Sequence, residues 1–201
     1  MIKVYGPDDA DVAALCKGMA SVYTKQGKYE EALELSIKVH GPDHQMVARI
    51  YNAMGVACSI EGKHEEALTL FKKSRDIFII NVCGSDNLDL AGAYRNMGLA
   101  YDSLGECAEA LEVYRKGLDI VIKVHGPDHE NVAPSYLSMA SAYSKFGLHE
   151  EALELLKKGA EIKSESLVIS SDVIDTCNRV ADALEKEGSH EKARLARRAF
   201  S

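Results

Sequence analysis

Gly98-Leu99-Ala100-Tyr101-Asp102-Ser103-Leu104-Gly105-Glu106-Cys107-Ala108-Glu109-Ala110-Leu111-Glu112-Val113-Tyr114 is the stretch that decides the fold. Its first part closes an apolar stripe that begins upstream at Leu90, Ala91, Tyr94 and Met97. Leu90, Tyr94, Met97, Gly98 and Tyr101 stand at i, i+4, i+7, i+8 and i+11, which puts them on one face of a helix. Gly105 follows where a helix needs a left-handed residue just past its end. Glu109-Ala110-Leu111-Glu112-Val113 then starts a second helix with strong helix formers.

The pattern recurs along the chain. Gly27, Gly62, Gly105, Gly147 and Gly188 divide two helical stretches, A and B, in each copy. Gly6, Gly41, Gly84 and Gly126 precede the first four of these by 21 residues, and Leu167 stands in the fifth place. The loop glycines are spaced 35, 43 and 42 residues apart. A period near 42 signals stacked supersecondary units. Val132, Ala133, Tyr136, Met139, Ala140 and Tyr143 repeat the A stripe, and Ala32, Ala67, Ala110, Ala152 and Ala193 form one small-residue column in the B helices. Between copies lies Gly41-Pro42-Asp43 or Gly126-Pro127-Asp128. Proline stops helix B, and Asp or a nearby polar residue caps the next helix A. No stretch alternates as a strand does. The expectation is an all-α chain of ten helices in five pairs. The repeats run over about 4–39, 40–82, 83–124, 125–165 and a capping unit 166–201, in a single domain 1–201.

Gly98, Tyr101, Gly105, Ala110 and Tyr114 resemble the tetratricopeptide repeat consensus, with Cys107 in place of its usual aromatic. The 42-residue period with His-Gly-Pro-Asp-His at 40–44 and 125–129 is similar to the kinesin light chain subclass. The likeness covers residues 4–163 closely and 166–201 loosely. It implies a right-handed superhelical solenoid whose A helices line a concave groove, and a binding function.

Two copies depart from the pattern. The first has only 14 residues from Gly27 to Gly41, so its helix B lacks seven. Seven residues turn a helix by nearly two full turns, so the stripe keeps its phase. Helix B there should run from Tyr29 to about Val39 and bury Ala32, Leu33 and Leu35 with Ile37 or Val39. In the fourth copy it should run from His149 through Lys163. In the fifth, Arg194, Arg197 and Arg198 replace apolar positions, as a terminal capping repeat requires. Ile2-Lys3-Val4-Tyr5-Gly6-Pro7 copies Ile37-Lys38-Val39-His40-Gly41-Pro42 and reads as the tail of a preceding helix B.

The chain has 201 residues, 46% hydrophobic, and a net charge of −7. That balance argues against nucleic-acid binding, which depends on neutralising phosphates. No apolar run reaches the roughly 20 residues of a spanning helix, and the start carries no signal-like apolar core. A soluble, intracellular, cytoplasmic protein is expected. The five cysteines, Cys16, Cys58, Cys83, Cys107 and Cys177, form no CxxC pair, so neither a disulfide framework nor a zinc knuckle is expected. His40/His44 and His125/His129 flank Gly-Pro-Asp and read as loop residues rather than metal ligands. His64, His149 and His190 fall in the aromatic column after the central glycine and read as packing residues. No phosphate loop or nucleophile elbow is present. No catalytic residue, metal or cofactor is expected.

The resemblance implies groove residues by column: Lys17 in the first repeat, Asn52 and Val56 in the second, Arg95, Asn96 and Leu99 in the third, Leu137 with Ser138 and Ser141 in the fourth, and Asn178 with Arg179 and Asp182 in the fifth. Asparagine amides suit an extended peptide backbone, and arginine suits a carboxylate. The expected partner is a protein or peptide segment with acidic character. The other reading is a structural subunit held permanently in a larger complex; an enzyme is the remote third. A clamp for chaperone C-termini is not expected, because only Lys17 matches it, while Ser21, Ala53, Gly92 and Asn96 fill the other places.

Overall fold

The computed structural model describes residues 28–81, 88–162 and 171–199. Among them lie nine α-helices and no strand. These are α1 Tyr29–His40, α2 Gln45–Ile60, α3 His64–Asn81, α4 Leu88–Leu104, α5 Cys107–His125, α6 Ala133–Lys145, α7 His149–Glu161, α8 Ser171–Lys186 and α9 His190–Arg198. A short 3-10 turn, Glu130–Val132, leads into α6. Helix A of the first repeat falls on residues outside those described. The chain forms two compact units, 1–100 and 101–201, which divide within α4.

Each described A helix joins its B helix through the same tight turn. Gly62 has φ +78 and donates its N–H to the Ser59 carbonyl at 3.1 Å, while Lys63 N–H reaches the Cys58 carbonyl at 2.9 Å. This double closure satisfies two carbonyls that the helix end leaves unpaired, and only glycine takes the left-handed place without strain. Gly105, Gly147 and Gly188 repeat it with φ of 78, 79 and 80. Lys63, Glu106, Leu148 and Ser189 then accept the first helical bond of the following helix, from Ala67, Ala110, Ala152 and Ala193. Two or three residues therefore serve to reverse the chain.

The column of alanines is buried throughout: Ala32, Ala67, Ala110, Ala152 and Ala193 are all 0% exposed. In the first unit, Phe71 of α3 lies buried against Gly55 of α2. A Cβ on Gly55 would come within 2.5 Å of the Phe71 ring. The second unit is built around two clusters. One gathers Ala110, Leu111, Tyr114, Leu118, Val132, Ala133, Met139 and Ile162. The other gathers Ala140, Leu153, Leu156, Val173, Val180 and Leu184. In this unit α6 packs on α7, α7 on α8 and α8 on α9, with further contact between α6 and α8 and between α7 and α9.

The A helices are buried more widely than one stripe. Ala93, Ala100 and Ala142, outside the predicted stripe, are as buried as Met97 and Ala140 within it. An inner helix of a stack meets neighbours on two sides, so alanine fills the second face.

The shortened first repeat gives a helix B of Tyr29–His40, 12 residues, against 19 for Cys107–His125. Ala32 and Ser36 are buried, Leu33, Leu35 and Val39 are half-buried, and Ile37 is exposed. The deletion thus shortens the helix and keeps its buried face, with Val39 rather than Ile37 extending the stripe. In the fourth repeat helix B stops at Glu161, earlier than expected. Ile162 turns extended, with φ −73 and ψ 98, and is buried in the cluster of Val132 and Ala133. Lys163 lies outside the described residues. In the fifth, Arg194 is exposed, and Arg197 bonds to Asp182 at 2.8 Å and to Glu185 at 2.8 and 2.9 Å. The exposed side of α9 carries Lys192, Arg194, Arg197 and Arg198.

Candidate functional site: the A-helix face of the first unit

Helix periodicity puts Asn52, Val56 and Ile60 at i, i+4 and i+8 on one face of α2. On α4, Arg95, Asn96 and Leu99 stand at i, i+1 and i+4. The two helices are tied together across this face. Asn96 Nδ2 donates to Asn52 Oδ1 at 2.9 Å. Nearer the helix starts, Arg49 donates from Nε and Nη2 to Asp89 Oδ2 at 2.9 and 2.6 Å. Both residues of that ion pair are partly exposed, so it orients more than it stabilises.

The amide pair uses one donor and one acceptor of a larger set. An asparagine has two N–H donors and a carbonyl oxygen. Beyond their mutual bond, Asn52 keeps its NH₂ group and Asn96 its carbonyl oxygen. Val56 is 38% exposed, Leu99 48% and Ile60 83%. The face is therefore polar toward the helix starts and aliphatic toward the ends of α2 and α4. Ile60 was missed from sequence because no family column pointed to it; its i+4 spacing from Val56 was the available signal.

The second unit treats the corresponding columns differently. Leu137 is half-buried and packs against the core of Leu153, Val173 and Val180. Ser138 Oγ donates to the Pro134 carbonyl at 3.0 Å. Asn178 and Arg179 are exposed on α8. Arg179 lines an open depression of about 560 Å³ with His149, Asp182, Ala183, Lys186 and Glu187. Asp182 there is already engaged by Arg197. Asp102 Oδ2 accepts from Lys145 at 2.5 Å, and Arg115 Nη2 donates to the Tyr143 hydroxyl at 2.6 Å. Lys17 lies outside the described residues.

The histidines sit at turns. His40 and His44 stack with centroids 4.3 Å apart, and His125 and His129 at 4.4 Å. His44 and His129 each stand just before a helical segment, and each ring Nδ1 accepts a backbone N–H, from Met46 at 3.1 Å and Asn131 at 3.2 Å. The nearby polar residue that caps helix A is thus the histidine. His64 and His149 open α3 and α7 with their Nδ1 atoms buried and without a hydrogen-bond partner. Among the described residues no group of three His, Cys, Asp or Glu side chains is placed to hold a metal ion. Burial pushes the Cys58, Cys107 and Cys177 thiols up, and neighbouring carboxylates add to this at Cys58 and Cys107. Thiols raised in this way stay protonated at neutral pH and are poor nucleophiles. No helix among the described residues is long and apolar enough to cross a membrane.

Models of the tetratricopeptide repeat match residues 29–80, 47–123 and 89–165, and a further one matches 15–38. The chain belongs to the tetratricopeptide repeat family. Among solved structures, it is similar to a candidate kinesin light chain of Podosopora anserina with nearly identical TPR-like repeats. That likeness has 20% identity and a TM-score of 0.64, over 96% of this chain and 94% of that one. It is similar to BtubC (BKLC) of P. vanneervenii at 18% identity and TM-score 0.73, over 94% and 78%. MamA of Desulfovibrio magneticus RS-1 follows at 18% identity and TM-score 0.60, over 92% and 90%. At such identities the likeness is one of fold. No curated protein matches the chain.

Proposed function

We propose that the protein is a non-catalytic, cytoplasmic scaffold or adaptor that binds a peptide segment of a partner on the A-helix face of its first unit. The observation that carries this reading is the Asn52–Asn96 bond. It fixes two amides side by side and leaves a donor group on one and an acceptor on the other, the pair that a peptide bond needs. Arg95 is exposed beside them and suits a carboxylate. Val56, Leu99 and Ile60 suit an aliphatic or aromatic anchor. The partner is a segment with an acidic residue next to an apolar one. By the repeat columns, Lys17 is a further candidate of the same kind, and Leu137 and Asn178 are candidates on the second unit by itself.

The test is titration of acidic peptides carrying an aromatic or aliphatic anchor, selected on the parent protein, against variants. Arg95→Glu is expected to weaken binding by roughly 2 kcal/mol or more, since interface energy concentrates in few residues and arginine is prominent among them. Arg95 is exposed, so the melting temperature should hold. The double variant Asn52→Ala, Asn96→Ala should also bind more weakly. Unchanged affinity in both would move the interface elsewhere and favour a structural subunit of a larger complex.

A further inference from the structure

His44 and His129 serve as N-caps through Nδ1, and this choice of residue has a chemical consequence. An imidazole accepts a hydrogen bond only on an unprotonated ring nitrogen. The usual cap residues, Ser, Thr and Asn, do not titrate between pH 5 and 8, and Asp stays ionised there. Histidine does titrate there. When the ring gains its proton, Nδ1 becomes a donor aimed at the N–H of Met46 or Asn131, and the cap is lost. The added positive charge also stands at the positive end of a helix, where it is unfavourable.

The surroundings make the effect larger. Each cap ring is stacked on a second histidine, His40 or His125, which ends the preceding helix. In the second turn, Asn131 engages both rings: its backbone N–H bonds His129 Nδ1, and its side-chain Nδ2 lies 3.1 Å from His125 Nε2. Charging both rings of a stacked pair sets like charges against each other. Cationic groups already stand on the helices that end here, Lys38 on α1 and Lys123 on α5.

Charged groups of the elements around each turn fall into two sets. At the first turn these are Lys38, Asp43, Arg49 bound to Asp89, and, on α3, Lys73 over the Tyr51 ring and Asp76 bound to Arg75. At the second they are Lys123, Asp128, Glu130, Lys158 over the Tyr136 ring, and Glu161. Carboxylates near a ring favour its charged form, and they cannot preserve the cap, because an imidazolium has no acceptor nitrogen to offer.

We infer that the turns 40–44 and 125–129 are acid-sensitive latches, which release the starts of α2 and of the Glu130–Val132 turn and α6 when His44 and His129 are protonated. The chain contains its own control. In the sequence column of His44 and His129 the other copies carry Asp9, Asn87 and Ser170, residue types that do not change charge in this pH range. Two of the five positions in that column are histidines, and they stand in the two segments that read His-Gly-Pro-Asp-His.

The sign follows from the acceptor. The cap needs the neutral ring, so its contribution is present when the ring is unprotonated and is lost as pH falls and the ring takes up its proton. Amide exchange of the full chain, corrected for intrinsic rates, tests this at pH 7.5 and 5.5. Protection at Met46 and Asn131 should fall about fivefold at the lower pH, the loss of one cap. In the double variant His44→Asn, His129→Asn, it should be the same at both pH values, because asparagine caps without titrating. A parent without the loss, or a variant that keeps it, overturns the inference. Should the double variant fail to fold, the singles His44→Asn and His129→Asn decide it: each should lose the pH response at its own turn and retain it at the other.

Discussion

The helix pair α2–α3 and the pair α6–α7 are built on one template and pack it in two ways. Both reverse through the same double-closed glycine turn, at Gly62 and at Gly147. Both bury an alanine at 0%, Ala67 and Ala152. Where the helices meet, however, the first pair sets Phe71 against Gly55, and the second places Leu156 in one cluster with Ala140. A larger side chain on helix B goes with a smaller one on helix A. The exposed faces differ too. The first unit shows a bonded amide pair flanked by Val56, Ile60 and Leu99. In the second, Ser138 folds back onto its own helix and Leu137 turns toward the core. The lesson is that the repeat conserves the total filling of its core and leaves both the partition of volume and the exposed face to vary.

The sharpest way to break this comparison is Gly55→Ala. The new Cβ would meet the Phe71 ring at 2.5 Å, and overpacking of this kind costs roughly 1–3 kcal/mol. Urea unfolding of the parent, Gly55→Ala, Phe71→Leu and the double variant forms a cycle. The double variant should be more stable than the sum of the single losses allows, since it recreates the alanine–leucine pairing of the other unit. Simple additivity would mean that the two residues do not share one space. Next in size is Ala140→Gly, expected to cost about 1 kcal/mol, chiefly from helix propensity. No clash arises there, so a loss as large as that of an aromatic truncation would show a tighter fit at Leu156 than the comparison holds.

The smallest effect concerns the terminal repeat. The Arg197 guanidinium holds the Glu185 carboxyl below the usual carboxylate range. A depressed carboxylate contributes stability above its unfolded value and loses it as pH falls through the folded one. Glu185 is exposed, so the measurable quantity is its own titration. In Arg197→Gln, side-chain NMR should show Glu185 titrating at higher pH than in the parent. An unchanged midpoint would mean that the bridge does not form in solution.

Much of the site was legible in sequence as columns and little of it as contacts. Asn52, Val56, Arg95, Asn96 and Leu99 were reached through the repeat, because a fixed period carries positions from one copy to the next. The bond between Asn52 and Asn96 was not legible, since it joins residues 44 apart through the approach of two helices. Leu137 looked like its groove counterparts in sequence and is half-buried in the core.

The sequence by itself determined the helices, their turns and their buried alanine column. These depend on local rules: a 3.6-residue periodicity, a glycine at each left-handed place, and proline after Gly41 and Gly126. Even the seven-residue loss in the first repeat could be read in advance, because helix phase is a matter of counting. Tertiary structure alone decided which polar groups meet. It decided that histidine rather than Asp43 or Asp128 caps the A helices, that Ala93, Ala100 and Ala142 are covered, and that Ile162 ends α7 early. Each of these depends on how a neighbouring helix approaches, and a periodic sequence fixes which face is apolar without fixing what covers the rest.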